Sequence, residues 1–192
     1  MFNPAQQAAI DRLWKRKREQ DGLKLPQAQR HRNLEPDSAL LLCALATTLH
    51  TKDLVEIGGS SGLSTIALAE AARRTGGRLV SIEIEPARQE EARATIESLG
   101  LAPQVEFMLG DAGRLLPLIG PKDFALIDCE KDDYARFLDL LKLRPGAVVV
   151  ADNILSHDLG AYVARVRARP GVESVTLPVG KGLEVSRFTK GA

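Results

Sequence analysis

The sequence predicts an α/β domain built on a mostly parallel β-sheet with helices on both faces. The first observation is that β-rich runs alternate with helical patterns from residue 53 to residue 169. Such alternation gives right-handed βαβ units and parallel strands. The second is a glycine-rich segment, 58–62, directly after the first β-rich run. The third is a final pair of β-rich runs with no helix between them, which requires one antiparallel strand.

The composition suits one domain with a sizeable core, since the chain has 192 residues. Its formal net charge is +1, so no strong field demands a nucleic-acid partner. Cys43 and Cys129 are far apart in sequence and form no metal-type pair, which predicts reduced thiols and a cytoplasmic protein. We find neither a membrane-length apolar run nor a signal-peptide core, so no membrane partner is expected.

Two helices are predicted before the sheet, at 8–19 and 35–50, with a loop at 20–34. The first helix places on one face Ile10, Leu13, Trp14 and Lys17. Its basic run 15–18 is better explained as a solvated helix face than as a nucleic-acid contact, because the total charge is balanced. We expect a single domain over 1–192, with a helical extension at 1–35 and the sheet-containing core at 36–192.

In the core, five β-rich runs are each followed by a helical pattern. The predicted strands are 53–58, 78–84, 104–109, 123–128 and 147–152. The predicted helices are 63–74, 87–99, 112–119, 132–142 and 158–169. The last two β-rich runs, 172–177 and 183–189, are joined by a Pro/Gly turn and are expected to pair as a hairpin.

The glycine-rich segment joins the first strand to the first core helix. Gly58, Gly59 and Gly62 allow positive φ angles and close backbone approach, and the helix N-terminal amides point into the same space. These features suit a nucleotide-like ligand at the carboxyl edge of the sheet. A purely structural tight turn is the alternative explanation.

An NAD-type fingerprint is excluded, because Ser60 and Leu63 stand where its later glycines belong. Glu56, just before the loop, would repel a pyrophosphate and would suit a cationic ligand. Glu83 ends the second strand, where a carboxylate can accept both hydroxyls of a ribose; Glu85 is the second choice, and an exposed strand-end acid is the alternative. Asp111, after the third strand, could accept from an adenine amine, cap a helix, or do both.

These residues carry a resemblance to a known family. The segments VEIGGSSGLSTIALA, VSIEIEP, LGDAGRLLP, FALIDCEKDDY, LRPGAVVVADNIL and LPVGKGLEVSRF together resemble the class I S-adenosylmethionine-dependent O-methyltransferases. Within that class they are most similar to the metal-dependent catechol and caffeoyl-CoA type. The resemblance implies a Rossmann-like, seven-stranded sheet in the order 3-2-1-4-5-7-6 with strand 7 antiparallel, in agreement with the predicted hairpin.

The resemblance also implies roles for individual residues. The methionine end of the cofactor would be lined by Glu56, Gly58 and Ser64. Glu83 would hold the ribose, and the adenine would be bordered by Gly110, Asp111 and Ala112. The cofactor site would be completed by Gly59, Ser60, Gly62 and Asp128. Lys131 would be the general base, whereas no role follows for Tyr134.

The metal ligands implied by the resemblance are Asp128, Asp152 and Asn153. The sequence agrees, because Asp128 ends the fourth strand and the other two end the fifth, and neighbouring strands lie about 4.8 Å apart. Their oxygen atoms suit Mg²⁺ best among the likely hard cations, with Mn²⁺ or Ca²⁺ as alternatives. Helix capping or cofactor contact is the other explanation of the two aspartates.

The implied reaction is methylation of a hydroxyl on a small aromatic, catechol-like substrate, with S-adenosylhomocysteine as product. Glu130 matches the caffeoyl-CoA type better than the catechol type. The segment after Asn153 is shorter than in the family, so a second copy of the chain could complete the pocket as a homodimer. Metal-independent methylation of another acceptor, such as a transfer-RNA base, and a non-catalytic cofactor-binding module are the alternative functions.

Overall fold

The computed structural model describes residues 2–23 and 31–190, so residues 24–30 of the predicted loop 20–34 lie outside the described residues. The helices are Pro4–Gly22 (α1), Pro36–Thr48 (α2), Leu63–Thr75 (α3), Pro86–Ser98 (α4), Ala112–Leu115 (α5), Tyr134–Leu140 (α6) and Gly160–Arg167 (α7). The strands are Asp53–Ile57 (β1), Arg78–Glu83 (β2), Val105–Leu109 (β3), Lys122–Ile127 (β4), Leu143–Ala151 (β5), Val172–Leu177 (β6) and Leu183–Phe188 (β7). Within these ranges, no helix is long and apolar enough to cross a membrane.

The strands form one seven-stranded sheet in the order β3-β2-β1-β4-β5-β7-β6. β1 to β5 pair in parallel, whereas β7 runs antiparallel to both β5 and β6. The predicted topology is therefore confirmed. Because β1, β4 and β5 are neighbours and point the same way, their carboxyl ends meet at one edge of the sheet.

The core has two halves, one on each face of the sheet. Successive residues of a strand point to opposite faces, and Leu54 packs with α1, α2 and α3, whereas Val55 packs with α6 and α7. The face covered by α1 also buries Ile10 and Leu13. This packing joins the N-terminal helix to the same core as the sheet.

α1 is held at its start and along its length. Asn3 and Gln6 form a reciprocal capping box, an arrangement that satisfies helix N-terminal amides. The Gln6 amide also donates to Glu70 Oε2 of α3 at 2.9 Å. α1 is thereby fixed against the sheet-covering helix α3, and its C-terminal half extends toward the carboxyl edge of the sheet.

Four predicted elements had wrong boundaries. The helix expected over 8–19 runs from Pro4 to Gly22, so the predicted loop begins later than residue 20. The helix expected over 112–119 stops at Leu115 and continues as a 3₁₀ turn, Leu116–Leu118, because Pro117 lacks an N–H and its ring opposes a regular α-helix. The helix expected at 132 begins at Tyr134, after a 3₁₀ turn at Lys131–Asp133. β5 begins at Leu143, earlier than expected, with an irregularity in its pairing to β4.

Candidate active site

Two adjoining cavities lie at the carboxyl edge of the sheet. One is bordered by the loops after β1, β2 and β3, and the other lies over the ends of β4 and β5 and below α1. Asp128 and Arg32 line both cavities. A ligand in the first cavity would therefore meet a ligand in the second beside Asp128.

The first cavity brings together seven of the residues predicted to bind a cofactor. They are Gly58, Ser60, Glu83, Gly110, Asp111, Ala112 and Asp128. The wall also contains Arg88, Cys129 and Phe137, which the sequence did not single out. Phe137 could have been suspected, because it belongs to the apolar face of a predicted helix. Arg88 and Cys129 carry no comparable signal.

Glu83 is fixed by backbone amides on two sides. Its Oε2 accepts from Ser60 N at 2.8 Å, and its Oε1 accepts from the amides of Ile84 and Glu85 at 2.9 Å each. The side chain is buried but borders the cavity. A carboxylate has about four acceptor sites, so these bonds orient Glu83 and leave it able to accept from a ligand. Glu85, by contrast, is exposed.

The glycine loop is as tightly packed as its composition suggested. Gly58 has a φ of 94°, and a Cβ there would lie 2.0 Å from the carbonyl oxygen of Asp128. Gly62 has a φ of 104°, and its Cβ would lie 3.1 Å from Ala92 Cα. Larger residues at either position would push apart the elements that carry the site.

Glu56 does not lie on the cavity wall. It is fully buried under the loop, where it accepts hydrogen bonds from Thr65 and Ser81, and burial raises the pKa of its carboxyl. Three other predicted cofactor residues are also absent from the wall, namely Gly59, Gly62 and Ser64. These four support the loop from within, and their direct contact with a cofactor stays a prediction.

The three predicted metal ligands meet at the ends of β4 and β5. Asn153 Nδ2 donates to Asp128 Oδ1 at 2.8 Å and to Asp152 Oδ2 at 3.0 Å. Asn153 has a φ of 67°, a left-handed conformation that Asn tolerates better than most residues. No cluster of three or more His, Cys, Asp or Glu side chains suited to a metal occurs in the described ranges. The predicted site has only two such side chains, Asp128 and Asp152, because its third ligand is the amide of Asn153.

These groups fit a cation. Among the residues that the structure describes, Asp152 Oδ1 is buried without a hydrogen-bond partner, although a buried acceptor normally has one. Burial, and then the neighbouring Asp128, raise the pKa of Asp152 to about 8, and burial also raises the pKa of Asp128. A cation between the carboxylates would relieve this repulsion. The amide of Asn153 would turn its oxygen inward, an orientation compatible with the same side-chain shape.

Lys131 lies beside the predicted metal ligand Asp128 and lines the second cavity. Its Nζ is 3.4 Å from Asp128 Oδ1 and donates to the carbonyl oxygen of Cys129 at 3.0 Å and to the Tyr134 hydroxyl at 2.9 Å. Burial raises the pKa of Tyr134 well above its usual value, so this phenol stays protonated. These contacts hold the amine at the wall of the second cavity.

The described residues that line the second cavity are all polar or charged, and the cavity has a volume of about 420 Å³. Its lining consists of Lys17, Asp21, His31, Arg32, Asn33, Asp128, Lys131, Asp152, Asn153, His157 and Lys181. The contribution of α1 was not foreseen. The only sequence signal was Lys17 on the otherwise apolar face with Ile10 and Leu13.

Comparisons with known proteins identify the family to which the chain is similar. Residues 55–154 match a family described as a methyltransferase domain. The chain is 33% identical over 153 residues to a catechol O-methyltransferase of Mycobacterium tuberculosis, covering 71% of this chain and 69% of that protein. It is 30% identical over 182 residues to a caffeoyl-CoA O-methyltransferase of Mesembryanthemum crystallinum, covering 79% and 70%.

Solved structures give the same picture. Cofactor-bound Rv0187 from MTB superposes with a TM-score of 0.77 at 28% identity, covering 98% of this chain and 91% of that one. The O-methyltransferase TomG from Streptomyces achromogenes, in complex with SAM, superposes with a TM-score of 0.77 at 27% identity and the same coverage of 98% and 91%.

Proposed function

The chain belongs to the S-adenosylmethionine-dependent O-methyltransferases of the catechol and caffeoyl-CoA type, and from this premise we propose that it methylates a hydroxyl of a small, catechol-like molecule with the help of a divalent cation. The observation that carries the proposal is the position of Asp128 on the walls of both cavities. It would lie between a methyl donor in the first cavity and an acceptor in the second.

S-adenosylmethionine would occupy the cavity that Glu83, Asp111 and Ala112 line. Glu83 would accept from the ribose hydroxyls, since its carboxylate is already oriented by Ser60 and by its own neighbours. Asp111 caps α5 through Gly113 N at 2.8 Å, and its other oxygen, which lies 3.7 Å from Arg136, would accept from the adenine amine. The buried Glu56 would support the glycine loop from beneath.

The cation, Mg²⁺ in our proposal, would be held by Asp128, Asp152 and Asn153. Asp152 Oδ1, which has no partner among the described residues, supports this assignment. When bound, S-adenosylmethionine supplies the methyl group, and the cation would lower the pKa of an acceptor hydroxyl. Three protein ligands would leave room for oxygen atoms of the acceptor. The hard oxygen set favours Mg²⁺, Mn²⁺ or Ca²⁺ over soft metals.

Lys131 would take the proton from the acceptor hydroxyl. Its amine lies 3.4 Å from Asp128 Oδ1, beside the ligands that would hold the cation. Three contacts, with Asp128, Cys129 and Tyr134, fix its direction. Holding base, acceptor and donor in one arrangement replaces encounter in solution, which is a large part of such catalysis.

The test is methyl transfer from S-adenosylmethionine to catechols, with product detected by mass spectrometry, in Mg²⁺ and in EDTA. We expect turnover in Mg²⁺ and its loss in EDTA. Turnover unaffected by EDTA would instead favour the metal-independent alternative. Transfer to transfer RNA but not to small hydroxylated molecules would replace the proposed acceptor class.

A further inference from the structure

The second cavity has a wall unsuited to an uncharged, flat acceptor. Its described lining contains no Phe, Tyr, Trp or aliphatic side chain. An aromatic ring placed there would gain little apolar burial and would displace water from charged groups, which is costly without new hydrogen bonds. Among the described residues, recognition in this cavity therefore comes from polar groups.

Two lysines from distant parts of the chain line this cavity together with the predicted metal ligands. Lys17 comes from α1, and Lys181 comes from the turn between β6 and β7. Lys17 is 6% exposed, whereas the Lys15 side chain, on the same helix, is 79% exposed. Lys181 is close enough to Lys17 and to Asp152 for both to affect its ionisation.

Each lysine is anchored but keeps free donor capacity. Lys17 Nζ donates to Asp21 Oδ2 at 2.8 Å, and Lys181 Nζ lies 3.4 Å from Glu35 Oε1. An ammonium group has three N–H donors, so each can also donate to a ligand. Asp21 and Glu35 compensate part of these two charges, and an anion bound between the two ammonium groups would gain charge-assisted hydrogen bonds from both.

We propose that the methyl acceptor carries an anionic group, a carboxylate or a phosphate ester, which Lys17 and Lys181 bind while its hydroxyl faces Lys131. This inference rests on the proposed function and narrows its substrate class. Lys131 and Lys181 line the same cavity of about 420 Å³, so a compact acceptor meets both. The preferred substrate is then an acidic catechol rather than a neutral one.

The test is calorimetric titration of the protein loaded with S-adenosylhomocysteine and Mg²⁺. The two probes are 3,4-dihydroxybenzoate and catechol, which differ only in the carboxylate. We expect the benzoate to bind at least tenfold more tightly, as a charge-assisted hydrogen bond warrants. Lys17→Met and Lys181→Met should each remove most of that difference and leave catechol binding nearly unchanged. Lys15→Met, a surface change on the same helix, is the matched control.

Unperturbed binding of S-adenosylhomocysteine shows that a variant is folded. If Lys17→Met, at a buried position, does not fold, Lys181→Met alone provides the test. Competition by inorganic phosphate, compared with acetate, distinguishes a phosphate ester from a carboxylate. Equal affinity of the wild type for both probes overturns the anion site, even if catechol is methylated. A preference for the benzoate without any methyl transfer supports the anion site and overturns the proposed function instead.

Discussion

The hydroxyl oxygen of Tyr134 accepts a hydrogen bond from Lys131 Nζ at 2.9 Å. The same hydroxyl donates to the carbonyl oxygen of Asp152 at 3.2 Å, and the amine lies 4.9 Å from the centre of the tyrosine ring. Tyr134 thus connects the proposed base to the strand that carries two proposed metal ligands. The sequence motif contained this tyrosine but offered no role for it; the geometry makes it a positioning residue.

Tyr134→Phe should reduce kcat about fivefold and leave the affinity for S-adenosylhomocysteine unchanged. The change keeps the ring and removes both hydrogen bonds of the hydroxyl; the one from Lys131, which positions the base, has a net contribution of about 1 kcal/mol. Steady-state kinetics with separate kcat and KM values check this. Tyr162→Phe is the control: its ring packs edge-on against Tyr134 at 5.6 Å, but its hydroxyl has no partner. Equal kcat and KM values for Tyr134→Phe and Tyr162→Phe would exclude a positioning role for Tyr134.

Lys131→Arg should lower turnover by about 10²–10⁴-fold, the usual contribution of general base catalysis. Arginine keeps the charge but cannot accept a proton near neutral pH. The loss should be smaller for 4-nitrocatechol, whose hydroxyl ionises more easily, than for catechol. Lys142→Arg, an exposed lysine bonded to the Pro117 carbonyl, should have no effect. Wild-type turnover of catechol by the Lys131 variant would end the assignment of the base.

Glu83→Ala should weaken S-adenosylhomocysteine binding at least tenfold, because the ribose hydroxyls lose a charged acceptor. The loop would also lose its bond from Ser60 N to the carboxylate. Glu83→Gln separates the two effects, since it removes the charge but retains oxygen and shape. Calorimetry measures both, with exposed Glu85→Ala as the control that should bind normally. An unchanged dissociation constant for Glu83→Ala would exclude Glu83 from the site.

The strand order and the edge that carries the site could be predicted because they depend on alternation and chain direction. The position of Glu56 could not be read from its place near a strand end. Side chains alternate along β1, so Glu56 shares the face of Leu54, beneath α3, and not that of Ile57. It points into the core while the neighbouring loop borders the cavity.

The polar second cavity was beyond prediction for a different reason. The periodicity of α1 identified Lys17 as a residue on the buried face, but periodicity does not say which distant segment that face meets. Its neighbours Asp152 and Lys181 lie more than a hundred residues away in sequence. Only the packed arrangement of α1 over the ends of β4 and β5 brings them together.

Glu70→Gln should destabilise the protein at pH 7 by roughly 2 kcal/mol. Glu70 is buried and accepts from Arg73, Arg74 and Gln6. Although burial opposes it, these bonds lower the pKa of Glu70 to about 2, and a lowered carboxyl pKa stabilises the fold above the unfolded value of about 4.3. Urea unfolding at several pH values should therefore show the difference shrinking from pH 4.5 toward pH 2. A difference that is constant with pH would contradict this account.

Mg²⁺ should raise the melting temperature of the wild type at pH 8. Asp152 is buried, the Asp128 side chain beside it is 8% exposed, and the pKa of Asp152 is raised to about 8. A raised carboxyl pKa costs stability above the unfolded value of about 3.9, and the cost grows until the folded pKa is reached. Protein in EDTA should therefore lose stability between about pH 4 and pH 8, and Mg²⁺ should restore it.

Asp152→Asn separates the cation from other causes of that pH dependence. Without metal, the variant should melt above the wild type at pH 8, since one buried charge is gone; about 1 kcal/mol corresponds to about 2–4 °C in a chain of this size. It should also gain nothing from Mg²⁺, because a ligand is lost. Asp139→Asn, at a carboxylate paired with Arg165 and Arg169 on the surface, should keep the full response to Mg²⁺. If Mg²⁺ stabilises the wild type and Asp152→Asn equally, the cation binds elsewhere and the three proposed ligands must be given up.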